Sequence, residues 1–232
     1  MKIRSVLSDA LGTYFRRWWE LVPRAFVIYL GLSLTALAVG QAFGGAAGIA
    51  ASALITFFGY FWLQALHVLE VAGDESAAGR TFRRAARRLL PLLGASVLAG
   101  LGLALGFVLF LVPGLVLMVW WSLLVPAVVL EGHGPRAALR RSRELVRGHG
   151  VKVFTTMVIS AVIVIPVAVV LLVVISYTFK DSPETASFVG DIVVDPVTAP
   201  FGVLVWTSVY FKLRDAEAAR AEVSPRTALV AV

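Results

Sequence analysis

Few side chains in this sequence are placed to do chemistry. Gln64, His67 and Glu70 stand at i, i+3 and i+6, a spacing that puts an amide, an imidazole and a carboxylate on one face of a helix. Glu131 closes a later apolar run in an equivalent place. Together they form a candidate polar site of the kind that reads a headgroup or a cation. The plainer reading is helix-end polarity, with Glu70 and Glu131 paired to nearby arginines. The three histidines, His67, His133 and His149, make no His-Glu-x-x-His pattern, and neither a Gly-x-Ser-x-Gly elbow nor a phosphate loop is present. With no cysteine, thiolate catalysis and thiolate metal sites are excluded. The expectation is therefore a non-enzyme, with no catalytic residue, no metal site and no cofactor.

A second set of residues is basic. In 135–147, proline at the first helical position and Gly148 just past the end bracket a helix. Ala138, Ser142, Leu145 and Val146 share one stripe of it, and Arg136, Arg140, Arg143 and Arg147 share another. Residues 3–20 repeat the pattern, with Ile3, Val6, Leu7, Ala10, Leu11, Tyr14, Phe15 and Trp18 on the apolar side. A guanidinium grips phosphate with two parallel hydrogen bonds. Arg83, Arg84, Arg136, Arg140, Arg141 and Arg147 are thus candidate ligands for anionic lipid headgroups. Helices of this kind lie in the membrane interface or pack beneath the bundle they belong to, and the pattern admits both.

The elements that hold these residues follow from composition. Of 232 residues, 59% are hydrophobic and 15% charged, with a mean hydropathy of +0.87, which is too apolar for a water-soluble domain. Charge-free runs of 45, 42, 27 and 16 residues follow Arg24, Arg88, Lys152 and Asp195. A span takes roughly 20 residues, so the first two runs cross twice and the others once. Gly44 to Gly48 breaks the first run and Val112-Pro113-Gly114 the second. Asp195-Pro196 reads as an N-cap and first helical position, opening a sixth helix of about 27 Å. The expected fold is all-α: a single integral membrane domain over 1–232, a polytopic helical bundle of six transmembrane helices. Its spans are near 25–43, 49–69, 92–111, 115–130, 153–177 and 195–213, with an interfacial helix at 3–20 and a tail at 214–232. No ionisable residue falls in the middle of a span so drawn, which argues against a proton-coupled pump.

Orientation follows from the basic residues, since cytoplasmic loops retain them. Twenty of the 21 Lys and Arg fall on one side of the six-span layout, and Lys180 alone on the other. Both termini are expected in the cytoplasm of a cell membrane. The formal charge of +7 then reflects topology and anionic lipid nearby, leaving no reason to invoke nucleic acid.

The chain also repeats itself. Gly12-Thr13-Tyr14-Phe15-Arg16-Arg17 precedes Pro23 and the first span, Gly79-Arg80-Thr81-Phe82-Arg83-Arg84 precedes Pro91 and the third, and Ala138-Leu139-Arg140-Arg141 precedes the fifth. This predicts a three-fold repeat of basic amphipathic helix, span, reversal and returning span. Pro113-Gly114, Trp120-Trp121, Pro126, Glu131-Gly132, Ala138 to Ser142, Leu145 to Gly148 and Tyr210 to Arg214 carry a resemblance as well. They are similar to an uncharacterised family of six-span bacterial membrane proteins, which in turn resembles the membrane domain of some glycerophosphodiester phosphodiesterases. The activity of those enzymes belongs to a separate barrel domain, so the resemblance implies a membrane module and carries over no catalytic residue.

Two functions fit these features. The first is a membrane module that organises anionic lipid or a protein partner on its basic face. The alternative is a transporter or flippase of an uncharged or lipidic solute, suggested by the repeat and by Pro126, Pro166 and Pro200 within spans. A polar cavity at mid-membrane depth separates them. Ser122, Thr156, Ser160, Gln64 and Thr207 are the residues expected to line it if it exists.

Overall fold

A computed structural model describes residues 3–73 and 78–230, with side chains given for all of these except 78–80, 82 and 221–230. The Arg80 and Phe82 side chains of the second repeat copy lie outside the described residues. Among the described residues the regular structure is entirely helical: α1 (Ile3–Phe43), α2 (Gly45–Val71), α3 (Ala78–Leu109), α4 (Leu111–Trp120), α5 (Leu124–Glu131), α6 (Pro135–Val146), α7 (Gly150–Thr178) and α8 (Pro183–Val230). With α4 and α5 counted as one crossing over Leu111–Glu131, six stretches are long and apolar enough to span a membrane. Long helices pair as hairpins, α1 with α2, α3 with α4 and α5, and α7 with α8.

Three local expectations change. The segment 3–20 is not a separate helix lying in the interface, because α1 runs unbroken through Pro23. Its apolar stripe has a partner that holds it straight on: Val6, Leu7, Ala10 and Tyr14 are buried against Phe201, Val205, Val209 and Leu213 of α8. The Tyr14 hydroxyl donates to the Val197 carbonyl at 2.7 Å, and Lys212 pairs with Asp9 at 2.8 Å. The second reversal sits at Phe110, in extended backbone, not at Val112-Pro113-Gly114. Pro113 falls in the first turn of α4, where a missing N–H is not needed, and Gly114 lies buried under Phe107. The sixth helix begins at Pro183 and passes through Asp195-Pro196. Ser182-Pro183 carries the same polar-then-proline start signal thirteen residues earlier, with the acid Glu184 added in the first turn, and the chain uses that one.

Two buried clusters lie toward the ends of the helices that bear the arginines, called here the basic end. One joins Ala25 and Tyr29 to Leu63, Leu66, Leu69, Leu92, Ala95, Leu124 and Val128. The other joins the first turns of α1 to α6, the start of α7 and the later half of α8. Toward the far end the helices carry exposed apolar side chains, among them Leu34, Leu37, Leu54, Phe57, Val108, Val170 and Val173. Such surface belongs in hydrocarbon, where each helix satisfies its own backbone. Small residues allow close approach where the hairpins do pack: Gly48 meets the Gly40 backbone between α1 and α2, and Gly102 sits under the Trp121 ring.

Candidate functional site

At the basic end, Glu131 is the centre of a polar network. Gly132 follows it with φ 75° and turns the chain out of α5, a conformation that costs glycine least. The Arg141 Nε donates to both Glu131 oxygens, at 3.1 and 2.9 Å. Its terminal nitrogens bond the two oxygens of Glu217 at 2.9 and 2.7 Å. The Tyr210 hydroxyl donates to Glu131 at 2.6 Å, and His133 Nε2 lies 2.7 Å from the other oxygen. Hydrogen bonds to Glu217 and Glu131 hold the Arg141 guanidinium above its ordinary pKa range, against the opposing effect of burial. Three elements, α5, α6 and α8, are thereby tied through one carboxylate.

The neighbouring Ser142 closes a gap in the helix ladder. Between α4 and α5 the chain turns at Trp121 to Leu123. The Leu123 N–H donates to Ser142 Oγ at 3.2 Å, and that hydroxyl donates to the Trp120 carbonyl at 2.7 Å. Irregular backbone inside a span is tolerated only where protein groups satisfy it in this way.

The candidate headgroup ligands separate into two kinds. Arg141 departs from the expectation, because two carboxylates already occupy it and its side chain is only 19% exposed. Arg83, Arg84, Arg136, Arg140 and Arg147 lie exposed, Arg140 within 3.7 Å of Glu144. Arg88 reaches the Gly132 carbonyl at 3.4 Å, and Arg143, outside the candidate set, lies over the Trp120 ring at 4.1 Å.

The residues Gln64, His67, Glu70 and Glu131 do not converge. Glu131 belongs to the network above. His67 is 4% exposed, stacks on Tyr29 with ring centroids 6.3 Å apart, and leaves Nε2 without a partner. Glu70 lies within electrostatic reach of Arg24. Gln64 alone faces a cavity, donating to the Tyr60 hydroxyl at 3.0 Å.

That cavity adjoins a larger groove that local spacing did not reveal. A groove of about 660 Å³ runs between the α1–α2 hairpin and the first half of α8, lined by Ser33, Gln41, Ser52, Thr56, Glu184, Asp191 and several apolar side chains. Tyr29, Tyr60 and Asp195 stand at its inner end and also line a second chamber of about 300 Å³ that contains Gln64, Ser122 and Thr198. The two spaces therefore share three walls. Tyr29, Tyr60 and Asp195 lie about 18 to 22 Å along their helices from the far-end residues Phe43, Gly45 and Pro183. That is roughly two thirds of the length needed to cross a hydrocarbon core of about 30 Å. A further recess of about 670 Å³ on the α7 side of α8 also includes Asp191 and Asp195, together with Lys180 and Ser176.

Asp191 and Asp195, read from the sequence as external loop and helix start, instead lie within α8, one of the helices long and apolar enough to cross a membrane. They enter because α8 starts at Pro183, so residues assigned to an external loop become helix. Of the five residues expected to line a mid-depth cavity, Gln64 and Ser122 do. Thr156 and Ser160 instead bond backward to carbonyls one turn away, both at 2.8 Å, and Thr207 is buried with its hydroxyl unpartnered. Asp-Pro read as a helix start concealed Asp195, and tyrosines in apolar runs look like interface aromatics. The proline and acid at 183 and 184 were the available signal.

Compared with known families, residues 6–221 match a domain of unknown function, DUF7847. The chain belongs to that family. No curated protein and no solved structure matches this DUF7847 chain. The comparisons give no support to a likeness with the membrane domain of glycerophosphodiester phosphodiesterases; what they support is a DUF7847 domain over most of a chain of apolar helices.

Proposed function

We propose that this DUF7847 chain is a non-enzymatic membrane protein that admits an amphiphilic, lipid-like solute into the groove between α1, α2 and α8. The observation that carries this reading is that groove and chamber adjoin, with Tyr29, Tyr60 and Asp195 lining both. Carboxylates and amides are expensive in hydrocarbon and persist there where they face a cavity, water or a bound group. The groove's volume also falls in the range of small-molecule sites, roughly 300 to 1,000 Å³. Polar walls flanked by exposed leucine and phenylalanine suit a molecule with both an apolar and a hydrogen-bonding part.

The test is movement of a fluorescent phospholipid analogue between leaflets of proteoliposomes. The wild-type chain should accelerate it. Thr56→Trp, which fills the groove, and Asp195→Asn, which removes the charge at its inner end, should each reduce the rate several-fold. Equal rates in empty vesicles and with wild-type protein would overturn the proposal.

A second reading concerns the basic end, where exposure of Arg83, Arg84, Arg136, Arg140 and Arg147 favours contact with anionic lipid or an acidic protein partner. In this reading both termini face the cytoplasm of a cell membrane, an orientation supported by the placement of the basic residues. Replacing Arg136, Arg140 and Arg147 with Gln should lower the anionic phospholipid that co-purifies in mild detergent. Unchanged lipid content would leave these arginines as topology determinants.

A further inference from the structure

A trough between α4 and α7 lies apart from both the groove and the arginines just named. Its walls are Val112, Leu115, Val116, Val119, Val151 and Phe154, and it measures about 290 Å³. Val112 and Val151 are 68% and 81% exposed, so the trough opens to whatever surrounds the bundle. At one end stand Trp120 and Gly150. There the chemistry changes from wholly apolar to cationic. The Arg143 guanidinium carbon lies over the Trp120 indole, 4.1 Å from its centroid, and among the described residues no carboxylate pairs with it. Lys152 is exposed immediately after Val151. Nothing stands within 4 Å of where a Cβ on Gly150 would be, so the backbone at the mouth is bare.

We infer that this trough holds one anionic phospholipid, with an acyl chain along α4 and α7 and its phosphate at Arg143. The position over the indole matters to the assignment. Held over the ring and without a carboxylate partner, the guanidinium retains the capacity to grip two phosphate oxygens and loses little conformational freedom in doing so. Lys152 adds a second positive charge, and the first N–H groups of α7, whose N-cap His149 makes no capping bond, add partial positive charge. The other end offers only methyl, methylene and ring carbon, which selects a hydrocarbon chain over a free phosphate. Position supports the same occupant, because the cationic end lies at the first residue of α7, where an apolar helix of 29 residues meets the basic end. The inference does not depend on the α1–α2–α8 groove and names residues outside the exposed arginine set.

The test uses the full chain, delipidated in detergent, with lipid binding followed by native mass spectrometry. Phosphatidylglycerol, phosphatidylcholine and glycerol 3-phosphate are the three probes. Phosphatidylglycerol should bind with one preferred molecule per chain, more tightly than phosphatidylcholine, and glycerol 3-phosphate should not displace it. Arg143→Gln should weaken phosphatidylglycerol roughly tenfold, the loss of one charge-assisted hydrogen-bonded contact. Arg143→Lys should recover part of the difference. Val151→Trp, placed at an exposed position to spare the core, should weaken both phospholipids. Displacement by glycerol 3-phosphate would overturn the acyl-chain assignment, and unchanged phosphatidylglycerol binding in Arg143→Gln and Val151→Trp would overturn the site.

Discussion

At the basic end, Glu131 is bonded by Tyr210, Arg141 and His133, while Arg141 holds Glu217 as well. Along the first half of α8, Glu184, Asp191 and Asp195 face open grooves, and among the described residues none has an ion-pair partner. The same residue types thus have different work in the two regions. Paired charges between packed helices fix the arrangement of α5, α6 and α8. Unpaired carboxylates on the walls of a groove within a membrane span leave interaction capacity that this chain does not use on itself. Pairing, more than residue type, separates structural charge from charge available to a ligand.

Breaking the network at the basic end should produce the largest change in stability. Glu131→Ala removes the shared acceptor and leaves Arg141, Tyr210 and His133 without it. A loss of about 3 kcal/mol is expected, from the cost of breaking a largely desolvated ion pair, and thermal unfolding in detergent reads it. Ser142→Ala should come next. It strands the Leu123 N–H and the Trp120 carbonyl at the α4–α5 turn, costing about 1–2 kcal/mol by the same measurement. Tyr210→Phe should lose about 1 kcal/mol, since it removes one hydrogen bond and keeps the ring in the core. The smallest effect is expected at the groove, where Asp195→Asn should change stability by less than about 0.5 kcal/mol while still slowing lipid movement. A loss of stability in Asp195→Asn comparable to that of Glu131→Ala would erase the distinction between the two regions.

Much of the architecture was legible in the charge pattern. The gaps after Arg24, Arg88 and Lys152 mark five crossings because charged side chains are excluded from hydrocarbon over the length of a span. The αL glycine at 132 and the proline at 135 mark the α5–α6 turn for local reasons. Helix ends with two competing signals were less legible. Asp195-Pro196 and Ser182-Pro183 both resemble starts, and packing of α8 against α7 and α1 selects the earlier. In the network around Glu131, pairing of the carboxylate with a nearby arginine was legible, but its Tyr210 partner was not, since Tyr210 is 79 residues away and only the folded bundle brings them together. The groove was hidden for the same reason: Tyr29, Tyr60 and Asp195 come from three helices, and none signals a cavity within its own segment.

Water access tests the contrast between the halves most directly, and the absence of native cysteine makes it practicable. Single cysteines at Ser33, Ser52 and Thr56 report on the groove, and cysteines at Leu66 and Ala127 report on the packed end, where both residues are at most 1% exposed. A membrane-impermeant maleimide should label the three groove positions at rates close to that of a cysteine at Ser182, in the α7–α8 turn, and should leave the two core positions unlabelled until the protein is denatured. If Thr56 and Ser33 react only with a lipid-soluble maleimide, the groove is filled by hydrocarbon and the proposed path for an amphiphilic solute is contradicted.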